Sequence, residues 1–175
     1  EARVTELEEL LAEKDRKVRE LQTTISQALL AYQDKGLSVE MRFGKVYVSL
    51  DAKLLFSVGG TKVGEEGKEA LIDVAKALEG QKDLEIYVEG HTDSDDFKSP
   101  NSPKNNWELS VLRATSVVQL LVENSNLDPK TVIASGRSSF LPVDSMDKAK
   151  NRRIEIILSP RLDKLFEVIG KGNEE

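Results

Sequence analysis

Two residues of opposite charge stand where the chain can bring them together: Asp93, just past an alternating stretch at 84–89, and Arg113, inside an apolar-periodic segment at about 107–123. A carboxylate accepts hydrogen bonds from an ammonium, and a guanidinium grips a carboxylate through two parallel N–H bonds. Held apart by the loop between them, the two would bind a small group that carries both charges. Paired with each other, they would only brace that loop. Residue type alone leaves both readings open.

On a helical wheel at about 100° per residue, Asn106, Ser110 and Arg113 share a narrow arc that Val117 and Leu120 continue lower down. Trp107, Val111, Ala114, Val118 and Leu121 form the expected core stripe, and Glu108, Gln119 and Glu123 face water. The arc is therefore polar only near the helix N-terminus, where free N–H groups and the helix dipole favour an anion. In a right-handed strand-to-helix unit, the loop after the strand lies beside the start of the next helix. Asp93 is thus expected next to Asn106 and Arg113. Asn105 or Asn106 would cap the helix, and Asn105 with Glu108 has capping-box spacing.

The positioning elements follow from periodicity. Val4, Leu7, Leu11, Val18, Leu21, Ile25, Ala28 and Tyr32 recur at 3,4 spacing, interrupted by Lys14 and ended by Gly36. This pattern predicts a long helix and a homodimeric coiled coil through residues 4–32, or else an amphipathic helix folded onto its own domain. Strands are expected at 38–42 and 45–50 around a Phe43-Gly44 turn, at 84–89, at 132–135 and at 153–158, with a helix at 65–78 and a short closing helix near 162–169. A frayed tail is expected at 170–175. The implied fold is an α/β sandwich of the α+β kind, β-α-β-α-β-β, with a mixed sheet and helices on one face. Its divisions are a coiled-coil-like helix at 1–35, a domain at 36–160 and a short helix and tail at 161–175.

Composition excludes other chemistry. A net charge of -6 and a pI near 5.1 lack the basic footprint that nucleic acid requires. The absence of cysteine removes disulfides and thiolate chemistry. The glycine run at 57–67 lacks the Gly-Lys-Ser/Thr ending of a phosphate loop. Asp93, Asp95 and Asp96 lack the spacing of a calcium loop, so no metal and no cofactor is expected. No nucleophile–base or zinc pattern marks an enzyme, and the lone His91 reads as structural. The chain opens on Glu1 rather than Met, which predicts an upstream signal or anchor.

Four segments carry a resemblance: GHTD at 90–93, NWELSVLRATSVV at 106–118, SGRSSFLPV at 135–143 and NRRIEI at 151–156. Together they resemble the OmpA-like peptidoglycan-binding domain of outer-membrane porin tails, peptidoglycan-associated lipoproteins and flagellar stator proteins. The resemblance spans about residues 45–159. It implies that Asp93, with Thr92 in the Thr-Asp pair, and Arg113 grip the diaminopimelate residue of the peptide stem, and that Asn106, Leu109 and the Asn151-Arg152 pair line or support the pocket. It also implies a periplasmic, non-catalytic anchor to the cell wall, attached to the outer membrane or envelope of a Gram-negative bacterium. The free end of diaminopimelate is a zwitterion, the ligand inferred from charge alone. A structural or assembly protein, with Asp93 and Arg113 as a mere brace, is the alternative. This chain departs from the family in a long, glycine-free loop at 94–105, in Ser138 where a Gly-x-Gly is usual, and in a short loop between Pro142 and Asn151.

Overall fold

The computed structural model describes residues 1–170, so of the expected tail only Gly170 falls among the described residues. Helix α1 (Ala2–Ala28) runs into a short 3-10 turn, Leu30–Lys35, that ends at Gly36 with φ 95°. That left-handed cap is the glycine stop the sequence predicts. The heptad stripe divides in two. Val18, Leu21 and Ile25 are buried in the chain's own core, while Val4 and Leu11 stay exposed. The lower half of the stripe packs on the helix Glu65–Leu78 and the sheet, as in the alternative of an amphipathic helix folded onto its own domain. Lys14, the misfit in the heptad pattern, reaches the hairpin turn, its Nζ lying 3.3 Å from where Gly44 would carry a Cβ.

Strands β1 (Leu37–Arg42) and β2 (Lys45–Asp51) form the expected hairpin. Phe43 and Gly44 both take positive φ, as a two-residue turn matched to strand twist requires. A helical turn, α2 (Ala52–Leu55), follows, then α3 (Glu65–Leu78) and β3 (Leu84–His91). After a long loop come α4 (Asn106–Glu123), β4 (Val132–Gly136), the single turn α5 (Lys148–Asn151), β5 (Arg153–Pro160) and α6 (Asp163–Gly170). The five strands lie in the order β1-β2-β5-β3-β4. Only β3 and β4 pair in parallel.

Register explains the two faces. Val48, Ile156 and Val88 stand in one row and Val46, Leu158 and Ile86 in the next, all buried against the helices. The alternate residues point to the other face and form rows of their own: Ser49, Glu155 and Glu89, then Asp51, Arg153 and His91. This is the mixed sheet with helices on one face that the sequence predicts. Among the described residues no helix is long and apolar enough to cross a membrane.

Helix α4 lies unusually close to the sheet. A Cβ on Gly90 would fall 2.1 Å from the Ser110 carbonyl oxygen, and one on Gly136 would fall 2.5 Å from Ser110 Oγ. Only glycine on the strands and a small residue on the helix permit that approach. The buried face of α4 is accordingly Leu109, Ser110, Arg113, Ala114, Val117 and Leu121. The expected stripe through Trp107 and Val111 is corrected: Trp107 is 52% exposed and stacks on Phe140, with ring centroids 5.4 Å apart. An indole has no room over the glycine seam, so it turns outward.

Candidate functional site

The loop after β3 places Asp93 just past the carboxyl end of that inner strand. Thr92 and Asp93 are buried. The Thr92 N–H donates to the Ser138 carbonyl at 2.9 Å, and its hydroxyl donates to the Asp93 carbonyl at 3.0 Å. Ser138 itself holds φ 52° and donates its N–H to Ser110 Oγ at 3.2 Å. Serine thus keeps the left-handed conformation for which the family pattern uses glycine, and the turn that fixes Thr92 is preserved.

Asp93 does not pair with Arg113. Its Oδ2 accepts from Arg152 Nη1 at 2.6 Å, and its Oδ1 accepts the Asp95 N–H at 2.9 Å. Arg152 is brought there by Asn151, whose side chain accepts from the Val143 and Asp144 N–H groups and donates to the Asp144 carbonyl. The Asn-Arg pair therefore divides its work: Asn151 clamps the loop, and the half-exposed Arg152 meets the acid.

Arg113 is 6% exposed. Its Nε donates to the Gly60 carbonyl at 2.8 Å, its Nη2 lies 3.5 Å from the Ser57 carbonyl, and its Cζ sits 4.9 Å from the Phe56 ring centroid. Among the described residues no carboxylate contacts it. Burial first, and the positive charge of Arg152 second, lower its pKa from the ordinary value. Asp93 and Arg152 thus form an ion pair, and the more buried Arg113, which feels the Arg152 charge, has no anionic partner among the described residues.

The Asn106 side chain donates to the Asp95 carbonyl at 2.8 Å and ties down the long loop, and Leu109 is buried. Asn105 is the cap, accepting the Glu108 N–H at 3.0 Å. The capping box is only half formed, because the Glu108 carboxylate takes the Lys104 N–H instead of that of Asn105. Asp95 and Asp96 are each engaged by a lysine, Lys148 and Lys98, so the acidic triplet is dispersed over three cations.

Two parts of this region were not read as functional from the sequence. The glycine run supplies the Gly60 and Ser57 carbonyls that hold Arg113, and Thr61 accepts the Ser116 hydroxyl at 2.7 Å. Phe97, from the long loop, lies over Gly59, 3.4 Å from where its Cβ would be. The second part is a charge cluster on the opposite face of the sheet. His91, 2% exposed, points Nε2 at Glu89 (3.0 Å) and Glu155 (3.8 Å). The remaining oxygens of these acids meet Arg137 (3.0 Å) and Arg153 (2.8 Å), with Arg42 at 3.3 Å. Three ligand-type side chains converge there, but three guanidinium groups already neutralise the two carboxylates, which opposes a cation. The alternating Glu-x-His and Arg-x-Glu pattern was the available signal.

Residues 55–155 match the OmpA family. The chain belongs to that family. It is 30% identical over 150 residues to motility protein B of Bacillus subtilis, a match covering 81% of this chain and 57% of that protein. It spans about half the length of the curated relatives it matches. Among solved structures, the cell wall anchor of the type VI secretion system (T6SS) from Pseudomonas aeruginosa superposes with a TM-score of 0.69 at 28% identity, covering 78% of this chain and 97% of that one. A MotB-like protein from Desulfovibrio vulgaris gives a TM-score of 0.74 at 19% identity, over 89% and 96% of the two chains, and shares the fold. OmpA-family domains associate with peptidoglycan in the cell envelope and are not enzymes, and this OmpA-family chain is non-catalytic.

Proposed function

We propose that the domain holds peptidoglycan by the diaminopimelate residue of its peptide stem and so tethers an envelope complex, or the outer membrane, to the cell wall from the periplasm. The observation that carries this reading is Arg113: a buried guanidinium bonded, among the described residues, to loop carbonyls alone and lying in the field of Arg152, which pairs with Asp93. A buried charge without a counter-charge is costly, and a ligand carboxylate supplies the missing partner. The ligand ammonium goes to Asp93, displacing the half-exposed Arg152 from it. Asn106 holds the loop, Thr92 and Leu109 hold the backbone under the ligand, and Arg152 reinforces Arg113 at the carboxylate.

The alternative assembly reading required Asp93 and Arg113 to satisfy each other, and each has other partners. Homodimerisation is proposed in a narrower form, through the exposed Val4 and Leu11 end of α1. Sedimentation of the chain with and without residues 1–14 tests it, an unchanged monomer mass counting against the dimer. For the site, wild type should pellet with diaminopimelate-containing sacculi, while Asp93→Ala and Arg113→Ala, folded by circular dichroism, remain in the supernatant. Equal pelleting of both variants would remove the proposed site.

A further inference from the structure

Asp93 and Arg113 are not bonded to each other, yet one segment connects them. The loop at 94–105 begins at the acid: the Asp95 N–H donates to Asp93 Oδ1 at 2.9 Å, and Asp95 is held in turn by Asn106 and Lys148. Two residues on, Phe97 is the one aromatic side chain of this loop, and it lies half-buried over Gly59. Gly59 belongs to a tight turn at 57–60, closed by the Gly60 N–H on the Ser57 carbonyl at 2.9 Å, and its φ of 67° favours glycine. The carbonyls of that same turn, Ser57 and Gly60, are the ones that hold Arg113. From acid to base the contacts therefore run through Asp95, Phe97, Gly59 and Gly60.

A turn with two consecutive glycines is loose on its own, because glycine loses more backbone freedom on ordering than any other residue. Packing from outside must hold it. From α4, Ser116 does so by donating to the Thr61 carbonyl at 2.7 Å; from the loop, Phe97 does so, reaching the backbone because Gly59 has no Cβ. We infer that Phe97 is a positioning residue for ligand selection: by seating the 57–60 turn it aims the Gly60 carbonyl, and through it the Arg113 guanidinium, at the carboxylate of the diaminopimelate stem. This inference rests on the function proposed above and deepens it. A guanidinium is a rigid planar fork, so fixing Nε fixes the plane of the other N–H groups. Nη1, which makes no hydrogen bond among the described residues, and the weakly held Nη2 are left for the ligand. Because Phe97 acts through Arg113, it governs the choice between stems with and without that carboxylate rather than the hold on the stem as a whole.

The test titrates wild type, Phe97→Ala and Phe97→Leu, each folded by circular dichroism, with stem peptides that differ only in carrying diaminopimelate or lysine. Phe97→Ala should bind the diaminopimelate stem about 3- to 10-fold more weakly, the worth of one misaligned hydrogen bond, with its affinity for the lysine stem unchanged. Phe97→Leu, which keeps an apolar cover on Gly59, should restore most of the preference. A second readout needs no ligand: by NMR the Arg113 Nε–H should exchange with solvent about 3- to 10-fold faster in Phe97→Ala, as its bond to the Gly60 carbonyl loosens. A diaminopimelate preference that survives in Phe97→Ala, an equal loss for both stems, or an unchanged Arg113 exchange rate overturns the positioning role while leaving the stem site standing. Failure of wild type to distinguish the two stems overturns the proposed function, and this inference with it.

Discussion

Two clusters of buried charge flank β3, and they are built to opposite ends. On the face away from the helices, Glu89 and Glu155 each meet an arginine and both turn toward His91, so the charges close on one another. On the α4 side, Asp93 has Arg152, but Arg113 has only carbonyl oxygens and an aromatic ring. In the first arrangement each carboxylate has an arginine, although both ring nitrogens of His91 and Arg42 Nε make no hydrogen bond; in the second, Arg113 has no anionic partner among the described residues. Buried charge alone does not mark a binding site; the informative feature is a buried charge whose counter-charge the chain does not supply.

Breaking the closed cluster should have the largest effect on stability. Glu155→Ala leaves Arg153 without its buried partner and weakens the hold on Arg42, and should cost about 3 to 5 kcal/mol in urea unfolding. A cost under about 1 kcal/mol would mean that the network is ornamental. Acid acts on the same cluster more gently. Burial pushes the Glu89 carboxyl pKa up, but hydrogen bonds from His91 and Arg137 together outweigh it and hold the group below its ordinary value of 4.5. Its ionised form thus adds stability above about pH 4.5, and that contribution is lost as pH falls through the lowered value. Unfolding midpoints measured between pH 6 and pH 3 should show this acid limb in wild type and a reduced one in Glu89→Gln. A smaller change of opposite sign is expected next to the open site. Ser138→Gly, which relieves the strain of φ 52°, should stabilise by about 0.5 to 1 kcal/mol and leave sacculus binding intact. A loss of binding in that variant would give the Ser138 side chain a role that its contacts do not show.

Much of the fold was legible because strand alternation and helix periodicity agree with the contacts made. The helix Glu65–Leu78 and the turn at Phe43-Gly44 stand where the sequence places them. The misreadings share one cause: partners distant in sequence decided the outcome. The heptads left open whether Val18, Leu21 and Ile25 would cover their own domain or a second chain, and in this fold they join the domain's core. The wheel of α4 could not show that Gly90 and Gly136 would draw Ser110 inward and turn Trp107 out. The partners of Asp93 and Arg113 were not readable: the Asp93–Arg152 pair joins residues 59 apart, and the Gly60 carbonyl that holds Arg113 lies 53 residues upstream. Backbone acceptors leave no mark in a pattern of side chains.

The contrast between the two clusters is most exposed at Arg113 itself. Because its charge is buried without an anion, Arg113→Met should fall within about 1 kcal/mol of wild-type stability, unlike Glu155→Ala. The decisive measurement is calorimetric titration of wild type and Arg113→Met with two stem peptides that differ only in carrying diaminopimelate or lysine. Wild type should prefer the diaminopimelate stem by about 5- to 100-fold, since lysine leaves the guanidinium unpaired, and the variant should bind the two stems weakly and alike. A preference for diaminopimelate that persists undiminished in Arg113→Met would contradict the account.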